Sequence, residues 1–413
     1  MLRPSRLPTD HPLRSRSFRL LWLGQSVSTL GDQAFQIALA WLVLRLTGSP
    51  AAMSAILIVT YVPTIALLMV GGVAADRIDR ATIARIADVV RLLLTSGLGL
   101  LVLMRRITWL ELLGFAAGLG TANAFFGPAL SALRPTLVDP DQYAAANATW
   151  SLGTETAALL GPAVGGLLVL RLGMSAAIGL DAATFLVSLV SLARTPSAPP
   201  SPVRRALGSD LRASLAFLVQ TPAMVVTVAA FSLTNALNDV EAVLVPFLVR
   251  DVLHLTAAAY GTAASCLGVG TLLGALLSGR LTWLTRHRRS AIFGSLALFG
   301  LAIAAMGLAH NPTQLFLSYV LAGVGFMVGE IQSGSLWQHW IPDGLRGRVL
   351  SAMGTLSMAM NPLGFALAGF LGTAVGIRAG LVLGGTGVLL VALLAGSLPV
   401  MAALNSPTRS PTP

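Results

Sequence analysis

Acidic side chains lie inside long apolar runs of this sequence, where an ionised group is expensive to keep. They are Asp32, Glu155, Asp181, Asp239, Glu241 and Glu330. A carboxylate that has no cation beside it in such a place favours its protonated form. It can then gain and lose a proton as its access to water changes, and it can also attract a cationic, lipophilic ligand. The residue types therefore predict groups that bind protons or ligands.

These acids differ in how their sequence context supports a role. Asp32 and Glu330 are our first candidates, because they lie mid-run and Asp32 has a near-repeat at Asp239. Glu155 and Asp239 come next. Glu241 is either functional or merely solvated near the end of its run, and Asp181 either acts or only bonds to a neighbouring helix.

Amides and one arginine add to this set. Asn235, Asn238 and Gln36 either contact a ligand or form hydrogen bonds between helices, which is the commoner role of a single amide. The sequence contains no lysine, and the arginine nearest membrane depth is Arg91. Arg91 follows Asp88 by three positions, so we expect those two to pair and the other acids to have no cationic partner.

The elements that carry these residues are predicted from composition. The chain has 413 residues, of which 55% are hydrophobic and 10% charged, against roughly 25% charged in soluble domains. We predict an integral membrane protein of about twelve helical spans, because each span needs about 20 apolar residues. The predicted spans are 18–46, 51–75, 82–104, 109–133, 143–170, 173–193, 222–249, 257–284, 290–309, 313–340, 347–374 and 377–402.

The chain divides into two similar halves. Besides the two aspartates, Pro162 has a counterpart in Pro362, and each proline is followed by small residues. We predict an all-α protein with two pseudo-symmetric six-helix halves related by an axis along the membrane normal. The predicted segments are a cytoplasmic arm 1–17, halves 18–193 and 222–402, a linker 194–221 with a surface helix, and a tail 403–413.

Charge placement predicts the orientation and excludes some partners. Most arginines fall in loops on one side of the predicted spans, which places both termini in the cytoplasm. The net charge of +11 is then explained by these loops and not by nucleic acid. The single cysteine, Cys266, excludes an internal disulfide, and the five histidines show no metal-binding spacing. We expect no metal and no cofactor.

The loop between the second and third spans carries a recognisable pattern. Gly72, Asp76, Arg77 and Arg80 resemble the loop signature of the major facilitator superfamily of secondary transporters, although that family usually has Gly where this chain has Asp79. The resemblance implies a cytoplasmic gating loop in which Asp76 faces the start of span eleven. Arg77 and Arg80 would bind carbonyls or acids, and Asp139 and Asp141 are available in the next inner loop. A positively charged inner loop of any membrane protein is the alternative interpretation.

Other stretches resemble particular branches of the superfamily. Gly161, Pro162, Gly165 and Gly166 resemble the end of the span-five signature of its antiporters, with ordinary small-residue packing as the alternative. The segments 18–25 with Gly31-Asp32, and 342–349, resemble the bacterial branch that contains enterobactin and macrolide exporters.

The resemblance implies a proton-coupled exporter, or antiporter, of a small lipophilic or organic molecule. It would be a monomer in a bacterial cytoplasmic membrane, driven by the proton gradient. An importer or lipid flippase of the same fold remains an alternative, as does a non-transporting receptor or scaffold. An enzyme is not expected, since the sequence has no Gly-x-Ser-x-Gly, His-Glu-x-x-His or phosphate-binding loop. Substrate identity and direction stay open.

Overall fold

The computed structural model describes residues 11–197, 216–342 and 344–405, and these are helical apart from short connections. The long helices are α1 (Arg16–Thr47), α2 (Pro50–Arg77), α3 (Arg80–Leu103), α4 (Trp109–Leu133), α5 (Tyr143–Leu172), α6 (Met174–Ala193), α7 (Pro222–Phe247), α8 (Ala257–Arg280), α9 (Arg288–Gly307), α10 (Pro312–Trp340), α11 (Arg346–Ala359), α12 (Asn361–Ala374) and α13 (Ile377–Ser397). A single helical turn, Thr282–Arg286, connects α8 and α9.

Polar residues between the apolar runs determine where several helices begin. Asp79 caps α3, because its carboxylate accepts hydrogen bonds from the backbone N–H of Thr82 at 2.8 Å and from its hydroxyl at 2.6 Å. Thr108 and Glu111 form a capping box at the start of α4. Asn311 caps α10, where Pro312 occupies the first turn and needs no N–H partner.

The predicted spans and the observed helices agree to within five residues at each end, and the one span divided in its middle, among the described residues, is span eleven. That span consists of α11 and α12, which are interrupted at Met360. Pro362 lies in the first turn of α12, where its missing N–H costs no helical bond. Pro162 lies inside the uninterrupted helix α5. The two prolines therefore have different local roles, although the sequence places them at corresponding positions.

Most of these helices have the length and composition of membrane spans. Eleven helical segments in the described part of the chain are long and apolar enough to cross a bilayer. Large apolar side chains project outwards from them, including Leu110 at 78% exposed, Leu93 at 66% and Phe370 at 65%. A water-soluble monomer rarely exposes so much apolar surface, so these side chains are expected to contact lipid.

The first of two compact units contains, among the described residues, 11–39 and 62–197. Within it α3 packs against α4 and α6, and α5 packs against α6. Glycines permit close helix contact: a Cβ on Gly165 of α5 would lie 2.6 Å from Ala34 Cα of α1. A Cβ on Gly71 of α2 would collide with the Ala124 carbonyl of α4.

The second unit contains, among the described residues, 40–61, 216–342 and 344–405. Here α8 packs on α10, and α9 packs on both α10 and α13. A Cβ on Gly300 of α9 would lie 2.6 Å from the backbone nitrogen of Leu389. Residues 40–61 contact other parts of this unit; for example, the ring of Tyr61 lies 5.1 Å from that of Phe365. The division into halves 18–193 and 222–402 stays a prediction.

Corresponding details recur in the two units. Arg85 of α3 donates to the Leu192 carbonyl near the end of α6 at 2.9 and 3.1 Å, and Arg289 of α9 donates to the Gly396 carbonyl near the end of α13 at 2.7 Å. Both bonds join residues 107 apart. In each case a cation meets the partially negative end of a helix. This recurrence is what two pseudo-symmetric six-helix halves produce.

Several predicted peripheral segments fall partly outside the described residues. Of the N-terminal arm 1–17, residues 1–10 lie outside, and so do residues 198–215 of the linker and 406–413 of the tail. The surface helix predicted within the linker can be followed only over residues 216–220, which are helical.

Candidate functional site

A buried arginine joins two aspartates in the first unit. Arg91 Nη2 lies 2.9 Å from Asp32 Oδ1 and 3.2 Å from Oδ2, and Arg91 Nη1 lies 3.0 Å from Asp88 Oδ1. One guanidinium therefore serves two carboxylates, one from α1 and one from its own helix. Charge-assisted bonds of this kind are stronger than neutral ones and have a defined direction.

Neutral polar groups bind the other carboxylate oxygen of Asp88. Ser188 of α6 donates its hydroxyl proton to Asp88 Oδ2, and Gln25 Nε2 of α1 donates to the Ser188 oxygen at 2.6 Å. All these groups are buried: Ser188 and Asp88 are 0% exposed, and Gln25 is 4% exposed. A continuous hydrogen-bonded network thus runs from Asp32 through Arg91 and Asp88 to Gln25.

Exposure falls sharply along this network. The Asp32 side chain is 37% exposed, whereas those of Arg91 and Asp88 are 6% and 0% exposed. The guanidinium carbon of Arg91 lies 4.6 Å from the centroid of the Phe126 ring and 4.1 Å from that of Phe185. These rings shield the cation from water and contribute cation–π attraction. Asp32 is the accessible end of the network.

Helical periodicity brings the network together. Gln25, Ser28 and Asp32 repeat at intervals of three and four along α1, so they share one face. Asp181, Thr184 and Ser188 do the same along α6, and Asp88 and Arg91 are one turn apart on α3. Gly31 allows α6 to approach, because a Cβ there would lie 2.9 Å from Asp181 Oδ1.

One sequence-based premise is wrong. We expected Asp32 to have no cationic partner, but Arg91 binds it across 59 positions of sequence. The expected pairing of Arg91 with Asp88 is confirmed. The sequence analysis did not select Asp88, Gln25 or Ser188 for this site; the polar spacing along α1 and α6 was the available signal.

Asp181 is the third acid of this region. It is 2% exposed, and its Oδ1 has no hydrogen-bond partner among the described residues. Thr184 Oγ1 donates to the Asp181 backbone carbonyl at 2.8 Å. Whether Asp181 acts in function or bonds a neighbouring helix is not decided by its burial, and its role stays a prediction.

The second unit holds a different arrangement. Asp239 is 7% exposed, and its Oδ2 has no partner among the described groups, although it lies close to Gly364 of α12. Glu241 accepts a hydrogen bond from the Tyr319 hydroxyl, so the interpretation of Glu241 as merely solvated is wrong. Asn235 Nδ2 donates to Ser357 Oγ at 2.6 Å, which is a bond between helices. Asp239 and Asp32 thus occupy similar sequence contexts but have different partners.

The remaining candidates are more accessible. Gln36, Glu155 and Glu330 are exposed, and Asn238 is partly buried. Within the described ranges, no ion pair involves Glu155 or Glu330. Their roles in coupling or substrate binding stay predictions. No group of three or more His, Cys, Asp or Glu residues in the part that the structure describes is arranged to hold a metal ion.

Comparison with known proteins identifies the family. The sequence pattern of the transmembrane secretion effector family matches residues 9–413. The chain belongs to this family of major facilitator superfamily transporters. It is therefore a multi-pass membrane transporter and not an enzyme, and its fold is that of the superfamily.

Relatives and solved structures agree with this assignment. The chain is 28% identical to the multidrug efflux pump Tap of Mycolicibacterium fortuitum, over 89% of this chain and 92% of that protein. It is 27% identical to the enterobactin exporter EntS of Citrobacter koseri, over 92% and 90%. A bacterial homologue of the human lysosomal transporter Spinster superposes with TM-score 0.73 at 15% identity, covering 96% of this chain and 99% of that one. An auto-inhibited POT family peptide transporter gives TM-score 0.76 at 13% identity, with coverages of 96% and 99%.

The superfamily loop signature has a structural basis within the first unit. Arg80 Nη1 donates to the Ala132 carbonyl at 3.3 Å, at the end of α4, as expected for a carbonyl partner. Asp79, which replaces the usual glycine, caps α3. Gly72 does not make a close approach, since a Cβ there would meet nothing within 4 Å. The close contact belongs to Gly71.

Other expectations for this loop have separate outcomes. Asp76 and Arg77 are exposed. The expected pairing of the loop arginines with Asp139 or Asp141 is not formed in the described structure. The contact of Asp76 with the start of span eleven, and with it the gating role, stays a prediction.

The glycine–proline stretch of α5 packs closely on α1. Gly161, Pro162, Gly165 and Gly166 are buried. A Cβ on Gly161 would lie 2.5 Å from Gln33 Cβ and 2.9 Å from the Leu30 carbonyl oxygen. Small-residue packing accounts for these contacts. The antiporter role of this stretch stays a prediction.

Proposed function

We propose that this transporter is a proton-coupled exporter, an antiporter that moves a small lipophilic or organic molecule out of a bacterial cell by alternating access. It acts as a monomer in the cytoplasmic membrane, with both termini in the cytoplasm, and contacts only its substrate and the bilayer. It binds no nucleic acid and needs no cofactor, because the proton gradient supplies the energy.

The observation that carries this proposal is the charge imbalance around Arg91. Asp32 and Asp88 share one guanidinium, and Asp32 is the accessible member. With both acids ionised, the pair carries one negative charge more than the arginine balances. A proton on Asp32 leaves Arg91 and Asp88 as a neutral pair. It also lowers the excess negative charge around the one cation, to which Asp181 contributes, so proton uptake offsets a costly buried charge.

The same geometry gives the proton and a cationic substrate a common site. Ionised Asp32 attracts a cation, and protonated Asp32 does not. Binding of a proton on one side of the membrane therefore releases the cation there, which is the exchange that an antiporter performs. The names of the efflux relatives support the outward direction.

The test measures proton movement in inside-out vesicles that are energised by respiration. A panel of lipophilic cations, macrolides and siderophores is added to vesicles that contain the wild type, Asp32→Asn, or Asp139→Asn as a matched control. We expect substrate-dependent proton release from the wild type and from the Asp139 variant, and none from Asp32→Asn.

Other outcomes would redirect or remove the proposal. Proton release that survives Asp32→Asn would transfer coupling to Glu330, Glu155 or Asp239. If no compound causes proton release, uptake assays and a lipid-translocation assay would distinguish an importer or a flippase. A chain that moves no solute in any of these assays would contradict transport coupling altogether.

A further inference from the structure

The buried carboxylate of Asp181 has one oxygen without a partner in the described structure, although it lies close to a cation. Asp181 is 2% exposed, and Oδ1 accepts no hydrogen bond there. Asp181 also acts electrostatically on Arg91. A buried acceptor of this kind is costly to leave unpaired, and such groups in native structures usually have a use.

The register of α3 against α6 shows what faces Asp181. Successive contacts along the two helices are Arg85 with Leu192, Asp88 with Ser188, Arg91 with Phe185, and Gly99 with Ile178. The helices are therefore antiparallel, and Asp181 lies level with Thr95, one turn beyond Arg91. Thr95 is 0% exposed, and its hydroxyl also has no partner among the described groups.

The register of α1 against α6 places Asp32 at the same level. Gln25 bonds to Ser188, and a Cβ on Gly31 would lie 2.9 Å from Asp181 Oδ1. Asp32 follows Gly31 directly. Asp32 and Asp181 therefore lie on two different helices at one depth, and Arg91 lies within reach of that level from the third.

Two aromatic rings and Asp88 hold Arg91 in its site. The rings of Phe126 and Phe185 lie 4.6 and 4.1 Å from the guanidinium carbon. Phe185 is one helical turn from Asp181 on α6. Nη1 is held by Asp88, which Ser188 fixes in turn. The acids that act on the guanidinium are Asp32 from α1, Asp88 from α3 and Asp181 from α6.

We propose that Asp181 is the second acceptor for Arg91. When a proton or a cationic substrate neutralises Asp32, Nη2 of Arg91 leaves Asp32 and bonds to Oδ1 of Asp181, while Nη1 stays on Asp88. The buried cation is then never left without its second carboxylate. Asp181 is a positioning residue: it acts through Arg91, and it replaces a link between α3 and α1 by a link between α3 and α6. The consequence for transport rests on the proposed function above.

A double-mutant cycle of melting temperatures, the stability cycle, tests whether Arg91 exchanges partners, and it needs no substrate or proton gradient. The melting temperature is measured for the purified full chain in nanodiscs as wild type, Asp32→Asn, Asp181→Asn and the double variant. With Asp32 present, Asp181→Asn should shift the melting temperature little. With Asp32 neutralised, Arg91 depends on Asp181, so the double variant should lose about 2 to 5 °C beyond the sum of the single shifts.

A control cycle combines Asp32→Asn with Asp239→Asn, which also neutralises a buried acid with one oxygen that has no partner among the described residues. That cycle should be additive, because the acids that act on Arg91 are Asp32, Asp88 and Asp181, and Asp239 is not among them. An additive Asp32–Asp181 cycle would overturn the proposal. So would a large loss, or failure to fold, in Asp181→Asn alone, because Asp32 still pairs with Arg91 in that variant.

A transport measurement then distinguishes a coupling role of Asp181 from a purely structural one. In the vesicle assay, Asp181→Asn should keep its substrate affinity and lose about tenfold or more of substrate-driven proton release, as expected when one charge-assisted bond is removed. Unchanged proton release would contradict the coupling role of Asp181. If the wild type releases no protons, the proposed function fails, whereas the stability cycle still decides whether Arg91 exchanges partners.

Discussion

Replacing Arg91 by methionine should destabilise the protein strongly. The change keeps an unbranched apolar chain between Phe126 and Phe185 but removes the cation that serves Asp32 and Asp88. Removing one partner of a buried ion pair costs about 3–5 kcal/mol, because the other charge stays buried and unpaired. Losing two ring contacts adds about 1 kcal/mol. We expect a total loss of about 4–6 kcal/mol.

The assay is thermal unfolding of the purified protein in nanodiscs. Arg171→Met is the matched control, since Arg171 is exposed at the end of α5. It should change stability by less than about 0.5 kcal/mol. The double variant Arg91→Met with Asp88→Asn should recover much of the loss, because it removes the 0%-exposed acid that the single variant leaves unpaired.

The loss in Arg91→Met should also depend on pH. An unpaired, buried Asp88 must take up a proton in the folded variant, whereas it ionises freely in the unfolded chain. Raising the pH therefore favours the unfolded state, and the loss should grow with pH. The reasoning is refuted if Arg91→Met melts like Arg171→Met, or if the Asp88→Asn change brings no recovery.

Three further changes test the packing and the helix ends. Gly165→Ala should lower the free energy of unfolding by about 1–3 kcal/mol, because its Cβ would lie 2.6 Å from a backbone carbon. Gly179→Ala should raise it by about 0.5–1 kcal/mol, because a Cβ there would meet nothing within 4 Å. Equal melting temperatures of the two variants would contradict this. Arg85→Gln should lower the free energy of unfolding by about 1.5–3 kcal/mol, because it removes the hydrogen bonds from Arg85 to the end of α6. An unchanged melting temperature would show that these bonds do not stabilise the protein. Asp79→Ala should lower the free energy of unfolding by about 1 kcal/mol, because the Asp79 side chain caps α3. Asp139→Ala should lower it by less than about 0.5 kcal/mol, because the Asp139 side chain makes no cap. Comparable losses in both variants would argue against capping.

Much of the fold follows from local properties of the sequence. Helices form wherever the apolar runs are long enough, because a backbone in lipid must satisfy its own hydrogen bonds. Caps such as Asp79 and Asn311 determine where α3 and α10 begin. The break at Met360 was missed, because Pro362 is equally compatible with a kinked continuous helix and with the first turn of a new one.

The candidate site was predicted only in part. The cost of burying charge identified Asp32 and Asp181 from single positions in apolar runs. Asp88 is not predicted as a site residue, because its one-turn spacing from Arg91 is typical of an ion pair within one helix. Local spacing reveals partners on one helix, and Asp32 lies on another.

The sequence by itself determined the helical class, the family and the candidate acids Asp32 and Asp181, because these depend on composition and short-range pattern. Tertiary structure decided that Arg91 serves Asp32 as well as Asp88, and that Asp32 is accessible while Asp181 is not. The physical reason is that a buried charge is balanced by its neighbours in space. Those neighbours come from α1, α3 and α6, whose packing depends on small residues such as Gly31 and not on proximity in sequence.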